Sequence, residues 1–215
     1  MADTPYFKSD DPLDHPPQRG RNYTLLFFML VGLALIVLVI VGQRARREDK
    51  IGAGHPSVGK SPETWQLEPL TGDPPPIDLA ALTGHVTLVN FWGTWCPPCQ
   101  EELPHIVKLG QELQANDDFR LAAVSCEPGI EKDIDKLRTT TAQFLADANF
   151  KLPTYYDPQA KSRLALMSTT GEDLAFPTTV VFDRQGTVRG YWRGYFPGSE
   201  RDMETLIRRL LAEKP

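Results

Sequence analysis

The sequence predicts an α/β domain, a mixed central sheet flanked by helices, preceded by one apolar helix. Three observations predict it. Short apolar runs rich in β-branched and aromatic residues alternate with stretches whose apolar residues recur at helical spacing. Near the C-terminus a turn motif joins two strand-like runs directly, which makes one sheet neighbour antiparallel. Ahead of these, Thr24 to Gly42 reads TLLFFMLVGLALIVLVIVG, nineteen residues without a charge.

Residues 1–22 are polar, with Asp10-Asp11-Pro12 and Pro16-Pro17, and read as a disordered tail. Residues 23–43 read as a transmembrane anchor. At ~1.5 Å per residue the run spans most of a ~30 Å hydrocarbon layer. A buried helix of a soluble protein is rarely apolar on every face. A cleaved signal peptide has a shorter apolar region, about 7–15 residues, whereas here Gln43-Arg44-Ala45-Arg46-Arg47 follows the longer run directly. Residues 44–58 turn from charged to rich in Gly, Pro and Ser and read as a linker. The folded domain is expected over 59–215.

Within that domain Val86 to Trp92, VTLVNFW, reads as a buried strand. Glu101 to Ala115 is helical, with Leu103, Ile106, Val107, Leu109 and Leu113 on one stripe. Phe119 to Ser125, FRLAAVS, is a second buried strand. Ile130 to Ala148 is helical through Ile134, Leu137, Phe144 and Leu145. Pro153 to Tyr156 suits a short strand and Gln159 to Met167 a short helix. Thr178 to Phe182, TTVVF, is a strand; Asp183-Arg184-Gln185-Gly186 turns, and Thr187 to Trp192 pairs back. Ser199 is expected to cap the last helix, with Asp202 as the capping-box acid. Leu206, Ile207, Leu210 and Leu211 are its buried face.

Composition narrows the function. The chain has 215 residues, 41% hydrophobic and 24% charged, enough for an ordinary core. The net charge is −5, and the basic residues after residue 50 are scattered among more numerous acids. No basic face for nucleic acid stands out. Three cysteines are too few for a disulfide-built scaffold.

Cys96 and Cys99 sit in WCPPCQEELP. A structural zinc site needs four ligands, and only Cys126 and scattered histidines remain; His105, six residues past Cys99, should turn away from the first turn of the helix. A permanent staple across so short a loop constrains little of the unfolded chain. Redox exchange fits the place better. The pair follows a buried strand and opens a helix, where the dipole end and free N–H groups stabilise a thiolate. Cys96, first and more exposed, is expected to attack a substrate disulfide, and Cys99 to resolve the mixed disulfide. Pro97 and Pro98 suit a helix start. Trp95 is expected to shape the docking surface near Cys96 and Trp92 to pack in the core; Cys126, ending a buried strand, reads as a small buried apolar residue, with a third redox participant as the alternative.

NFWGTWCPPC resembles the active-site segment of thioredoxin-fold proteins, most closely the TlpA/ResA-like branch. Gly72 and IDLAALTGHV look like that branch's N-terminal β extension. The order Cys96, Cys99, Glu102, Pro104 is similar to its helix signature, and Phe176-Pro177-Thr178 stands where the family carries a cis-proline. The resemblance covers roughly Gly59 to Pro215. It implies a thioredoxin-like fold and a membrane-anchored thiol–disulfide oxidoreductase using its own Cys96–Cys99 pair, with no cofactor and no metal. It implies a cis Pro177 beside the cysteines, a Phe176 backbone that pairs with extended substrate, and a Glu102 that assists proton transfer. Asn90 departs from thioredoxin, which has a buried aspartate at that position; an amide is no general base, so the burden moves to Glu102 or water. The resemblance further implies protein thiol and disulfide substrates among exported proteins, apocytochrome c included, a membrane thiol donor, and an extracytoplasmic domain. Charge bias points the other way: Arg44, Arg46, Arg47 and Lys50 follow the span, against Lys8, Arg19 and Arg21 before it. A peroxiredoxin-like peroxidase would need a threonine three residues before its cysteine in a proline-led loop, whereas Thr94 is two before Cys96. A redox-inactive binding module would leave the pair idle.

Overall fold

The computed structural model describes residues 21–48 and 51–213. The tail expected over 1–22 lies outside the described residues except for Arg21 and Asn22, which begin a helix. The chain divides into two compact units at Arg46 and Arg47.

The described part of the first unit belongs to helix α1, Arg21–Glu48, which runs two residues past that division. Its stretch Tyr23–Gly42 is long and apolar enough to cross a membrane. The large apolar side chains along it are all exposed, from 39% at Val31 to 73% at Met29. Such a surface is stable only where something other than water covers it.

The second unit holds a seven-stranded sheet in the order β2-β1-β5-β4-β3-β6-β7. The strands are β1 Gln66–Thr71, β2 Ile77–Asp78, β3 Val86–Trp92, β4 Phe119–Ser125, β5 Thr154–Tyr156, β6 Thr178–Phe182 and β7 Val188–Arg193. β3, β4 and β5 run parallel, β6 adds antiparallel to β3, and β7 adds antiparallel to β6. Among the described residues four α-helices accompany the sheet: α2 Pro97–Leu113, α3 Ile134–Asp147, α4 Lys161–Thr170 and α5 Ser199–Ala212. The chain thus has the thioredoxin-like arrangement of a mixed sheet with helices on its faces. β1 and β2 form the N-terminal extension, and β1 joins the sheet through β5.

Side-chain alternation along the central strand distributes the core. Val89 and Phe91 of β3 enter one cluster with Trp65, Leu67, Leu82, Val124 and Phe182. Val86 and Leu88 enter another with Ile106 of α2 and Leu206 and Ile207 of α5. Trp92 shares that second parity and packs with Cys96, Cys99, Leu103 and Leu145. Asn90 has the same parity and so faces α2 from the middle of the sheet. Register sets it opposite Thr179 of β6.

Element boundaries differ from expectation for identifiable reasons. α2 starts at Pro97 rather than Glu101, since two prolines preset its first turn. α3 begins at Ile134, with Asp133 accepting the Lys136 N–H at 2.9 Å; residues before it are drawn aside by Arg163, described below. α4 starts at Lys161 because Gln159 and Ala160 have left-handed φ of 54° and 57°. Ser199 does not cap α5. Gly198 takes the capping position with φ 104°, and the Glu200 carboxylate accepts the Gly198 N–H at 2.9 Å. Ser199 Oγ is buried without a partner among the described residues.

Part of the stretch expected as a linker lies along the outer edge of β7. Gly52 and Tyr191 exchange backbone hydrogen bonds of 2.7 and 3.1 Å, and Gly59 donates to Val188 at 2.9 Å. Gly52, at φ 64°, sits so close to Trp192 that a Cβ there would lie 3.1 Å from the indole. His55 is buried in the same stretch.

Candidate active site

The site begins where β3 runs out. Trp92 ends the strand, Gly93 to Trp95 make the turn, and Cys96 is the N-cap of α2. Pro97 and Pro98 occupy the first helical positions, where a missing N–H costs nothing. The Cys99 N–H faces Cys96, donating to its carbonyl at 3.1 Å and its sulfur at 3.3 Å. This is the orphan-donor geometry of a helix start, and it favours negative charge on the capping sulfur. The two cysteines are joined as a disulfide, their Cα atoms 5.3 Å apart.

Cys96 is 2% exposed and Cys99 1%, so both are buried in the disulfide form and exposure does little to tell them apart. Trp92, Leu103 and Phe176 pack around the pair. What separates the two sulfurs is position: Cys96 caps the helix and Cys99 lies inside its first turn.

Trp95 is the exposed aromatic residue beside the pair, at 43%. Its indole N–H donates to the Cys126 carbonyl at 2.9 Å, and its ring meets Phe176 edge-on at 5.3 Å. The Phe176–Pro177 bond is cis, as the resemblance implied. Pro177 is buried, and its carbonyl accepts the Gly194 N–H at 2.7 Å. Phe176, 77 to 81 residues further along the chain, is therefore brought to Trp95 and the cysteine pair at one end of the sheet. Trp92 packs in the core, as read from the sequence.

Glu102, one turn past Cys99, is buried to 1% exposure, unlike its exposed neighbour Glu101. Its Oε2 accepts the Asn90 amide at 2.7 Å and the Thr179 hydroxyl at 3.3 Å. Asn90 also donates to Thr179 at 2.8 Å. Oε1 is buried with no partner among the described residues. Burial pushes the Glu102 carboxyl up to about 7, while the bonds from Asn90 and Thr179 pull it back. A carboxyl poised there exchanges protons near neutrality. Asn90 is thus a holder of Glu102. The role of Thr179 was hidden in the sequence, since only the β3–β6 register brings it opposite Asn90.

Cys126 is 1% exposed. Burial pushes its thiol well above the usual range, with Arg163 pulling the other way. His105 stacks on Tyr195 with ring centroids 6.1 Å apart. Among the described residues no cluster of three or more metal-ligating side chains occurs.

The family model described as Redoxin matches residues 53–207. The chain is 30% identical over 102 residues to the thiol-disulfide oxidoreductase ResA of Halalkalibacterium halodurans, covering 47% of this chain and 57% of that one. It is 28% identical over 134 residues to ResA of Bacillus thuringiensis, covering 61% of this chain and 66% of the relative. The chain therefore spans somewhat less than two thirds of the length of these relatives. Two solved structures share the fold. A thioredoxin-family thiol:disulfide interchange protein from Chlorobium tepidum aligns with a TM-score of 0.55 at 21% identity, over 72% of this chain and 97% of that one. A secreted thiol-disulfide isomerase from Corynebacterium glutamicum aligns at 0.54 with 22% identity, over 71% and 86%.

Proposed function

The chain belongs to the Redoxin family, and from that premise we propose that it is a membrane-anchored thiol–disulfide oxidoreductase acting on exported proteins. The observation that carries this reading is the cysteine pair at the start of α2, bonded to itself beside a cis-proline and an exposed tryptophan. The ResA relatives support the same reaction class.

In the dithiol form the Cys96 thiolate attacks a substrate disulfide. One substrate sulfur leaves as thiolate, and the other is joined to Cys96. Cys99 then yields its proton, for which Glu102 is the acceptor, and its sulfur attacks Cys96. The Cys96–Cys99 disulfide forms, the second substrate sulfur leaves, and two electrons have passed to the substrate. Trp95 and the Phe176–Pro177 segment flank the attacked sulfur and dock the substrate chain, with the Phe176 backbone pairing with an extended segment. The pair itself is the redox group, so no cofactor enters. A membrane thiol donor restores the dithiol. Apocytochrome c with oxidised haem-site cysteines is one substrate of the right chemistry.

Residues 23–43 anchor the domain in the bilayer, and the domain faces the extracytoplasmic side. The relatives' reaction class favours that side, where protein disulfides persist; the arginines after the span favour the other. A reporter fused after Pro215 decides between them, and activity only on the cytoplasmic side sinks the assigned location.

Substrate trapping tests the exchange mechanism. Cys99→Ser leaves mixed disulfides on Cys96 unresolved. With Cys126→Ser also present, acid-quenched membranes should yield partners that reduction releases, and Cys96→Ser should abolish them. Capture that persists in the Cys96→Ser chain would contradict the assignment of the nucleophile.

A further inference from the structure

Trp95 stands next to Cys96, and its orientation depends on groups well away from the cysteines. Its indole N–H is held by the Cys126 carbonyl at 2.9 Å. That carbonyl belongs to the same planar peptide unit as the Glu127 N–H. Glu127 is also the first residue of the loop 127–132 that follows β4 and Cys126. The peptide whose carbonyl holds the indole therefore opens that loop, and the path of the loop sets the direction of the carbonyl.

Glu131 is itself held. Its side chain is 1% exposed, and both its oxygens receive Arg163 Nη2, at 2.7 and 2.6 Å. The Arg163 side chain, 7% exposed, reaches from α4. Its Nε donates to Asp157 Oδ2 at 3.1 Å and its Nη1 to the Gly129 carbonyl at 3.1 Å. Asp157 is fixed in turn by the N–H groups of Ser162 and Arg163, at 2.8 and 3.0 Å. Residues 127–132 have no regular structure of their own. Arg163 and Glu131 therefore set the path of this loop. Gly93 leaves the indole its seat: a Cβ there would lie 2.4 Å from Trp95 Nε1 and 2.8 Å from the Cys126 oxygen.

A buried ion cluster of this kind is often replaceable by apolar residues with no loss of stability. Its specific product here is a fixed loop, which starts at the carbonyl that holds Trp95. We propose that Glu131 and Arg163 are positioning residues of the exchange site, which hold the Cys126–Glu127 peptide so that Trp95 presents a preformed docking face to polypeptide disulfides. The inference rests on the oxidoreductase reading above. It assigns Glu131 and Arg163 to recognition of the substrate chain, leaving sulfur chemistry to Cys96 and Cys99. Small disulfides, which do not need that face, are indifferent to both residues.

The test uses the full chain in detergent micelles, with Glu131→Gln as the conservative variant and Arg163→Lys as the second. The Trp95 indole N–H resonance, assigned by its loss in Trp95→Phe, should move and exchange faster with solvent in both variants. For a disulfide-bonded peptide, KM should rise roughly tenfold, the loss expected for one charge-assisted hydrogen bond in the chain of contacts, with kcat unchanged. The rate with a small aromatic disulfide should stay at the parent value. In a Trp95→Ala background the same substitutions should add nothing, since their effect passes through Trp95. An unmoved indole resonance, or an equal KM penalty with and without Trp95, overturns the proposal. A parent chain that exchanges no disulfide, with the indole still responding to Glu131, overturns the oxidoreductase reading and leaves the contact chain in place.

Discussion

Glu102 is a carboxyl whose folded environment holds its proton, raised from 4.5 to about 7 chiefly by burial. The consequence for stability has a definite sign. The folded state binds this proton more tightly than the unfolded state, so this contribution is complete below about 4.5 and is lost as pH rises through about 7. The loss is on the order of 3 kcal/mol at most. Glu102→Gln should remove it: thermal melts at pH 5 and pH 8 should differ less in the variant than in the parent chain. The same substitution should flatten the rise in the rate of mixed-disulfide resolution between pH 6 and 8. An unchanged rate profile would leave Glu102 as a buried structural acid. Among single residues Cys126 contributes through its backbone, since its thiol is buried and its carbonyl holds Trp95.

At the scale of elements, helix ends carry definable energies. Asp133 caps α3 through the Lys136 N–H, and Asp133→Ala should cost about 1 kcal/mol in urea unfolding. The edge segment beside β7 is pH-sensitive through His55. Its Nδ1 accepts the Ser57 N–H at 3.1 Å and pairs with the Ser57 hydroxyl at 2.7 Å, and a backbone N–H can be accepted only by an unprotonated nitrogen. The groups facing it are Glu172, 3.5 Å from Nε2, Tyr191, whose ring lies 4.4 Å away, and Lys60. Burial holds the imidazole below its usual 6.5, with Glu172 opposing. Neutral His55 therefore stabilises docking fully above pH 6.5, and docking weakens as pH falls below it. Amide exchange at Gly52 and Gly59, corrected for the intrinsic rate, should quicken at pH 5.5 relative to pH 7.5. Equal protection at both values would show that His55 does not control the segment.

For the whole molecule, the division at Arg46 and Arg47 predicts that the second unit folds without the apolar helix. A chain starting at Arg47 should melt cooperatively near the parent value. A chain starting at Ser61 loses the pairings of Gly52 with Tyr191 and of Gly59 and Lys60 with Val188. It bares the β7 edge, and its Tm should fall by roughly 5–10 °C with self-association through the exposed edge. Light scattering and melting of the two truncations would decide; equal behaviour would mean that the edge segment contributes nothing.

The sequence by itself determined the apolar helix, the strand and helix order, the place of the cysteine pair at a helix start, and the turn at Asp183 to Gly186. These follow from local period, dipole and turn chemistry, which the chain carries at short range. Tertiary structure alone decided what surrounds the pair. β1 and β2 gave weak local signals and were reached only through resemblance, because QLEPLT breaks strict alternation at Pro69 and becomes a strand by pairing with β5. The burial of Glu102 and its hold by Asn90 and Thr179 depend on a register between strands 89 residues apart in numbering. Arg163 and Glu131 look in sequence like ordinary surface charges. Only the meeting of the loop after β4 with α4 buries them together, because the net value of a charge pair depends on desolvation, and desolvation is a property of the packed molecule.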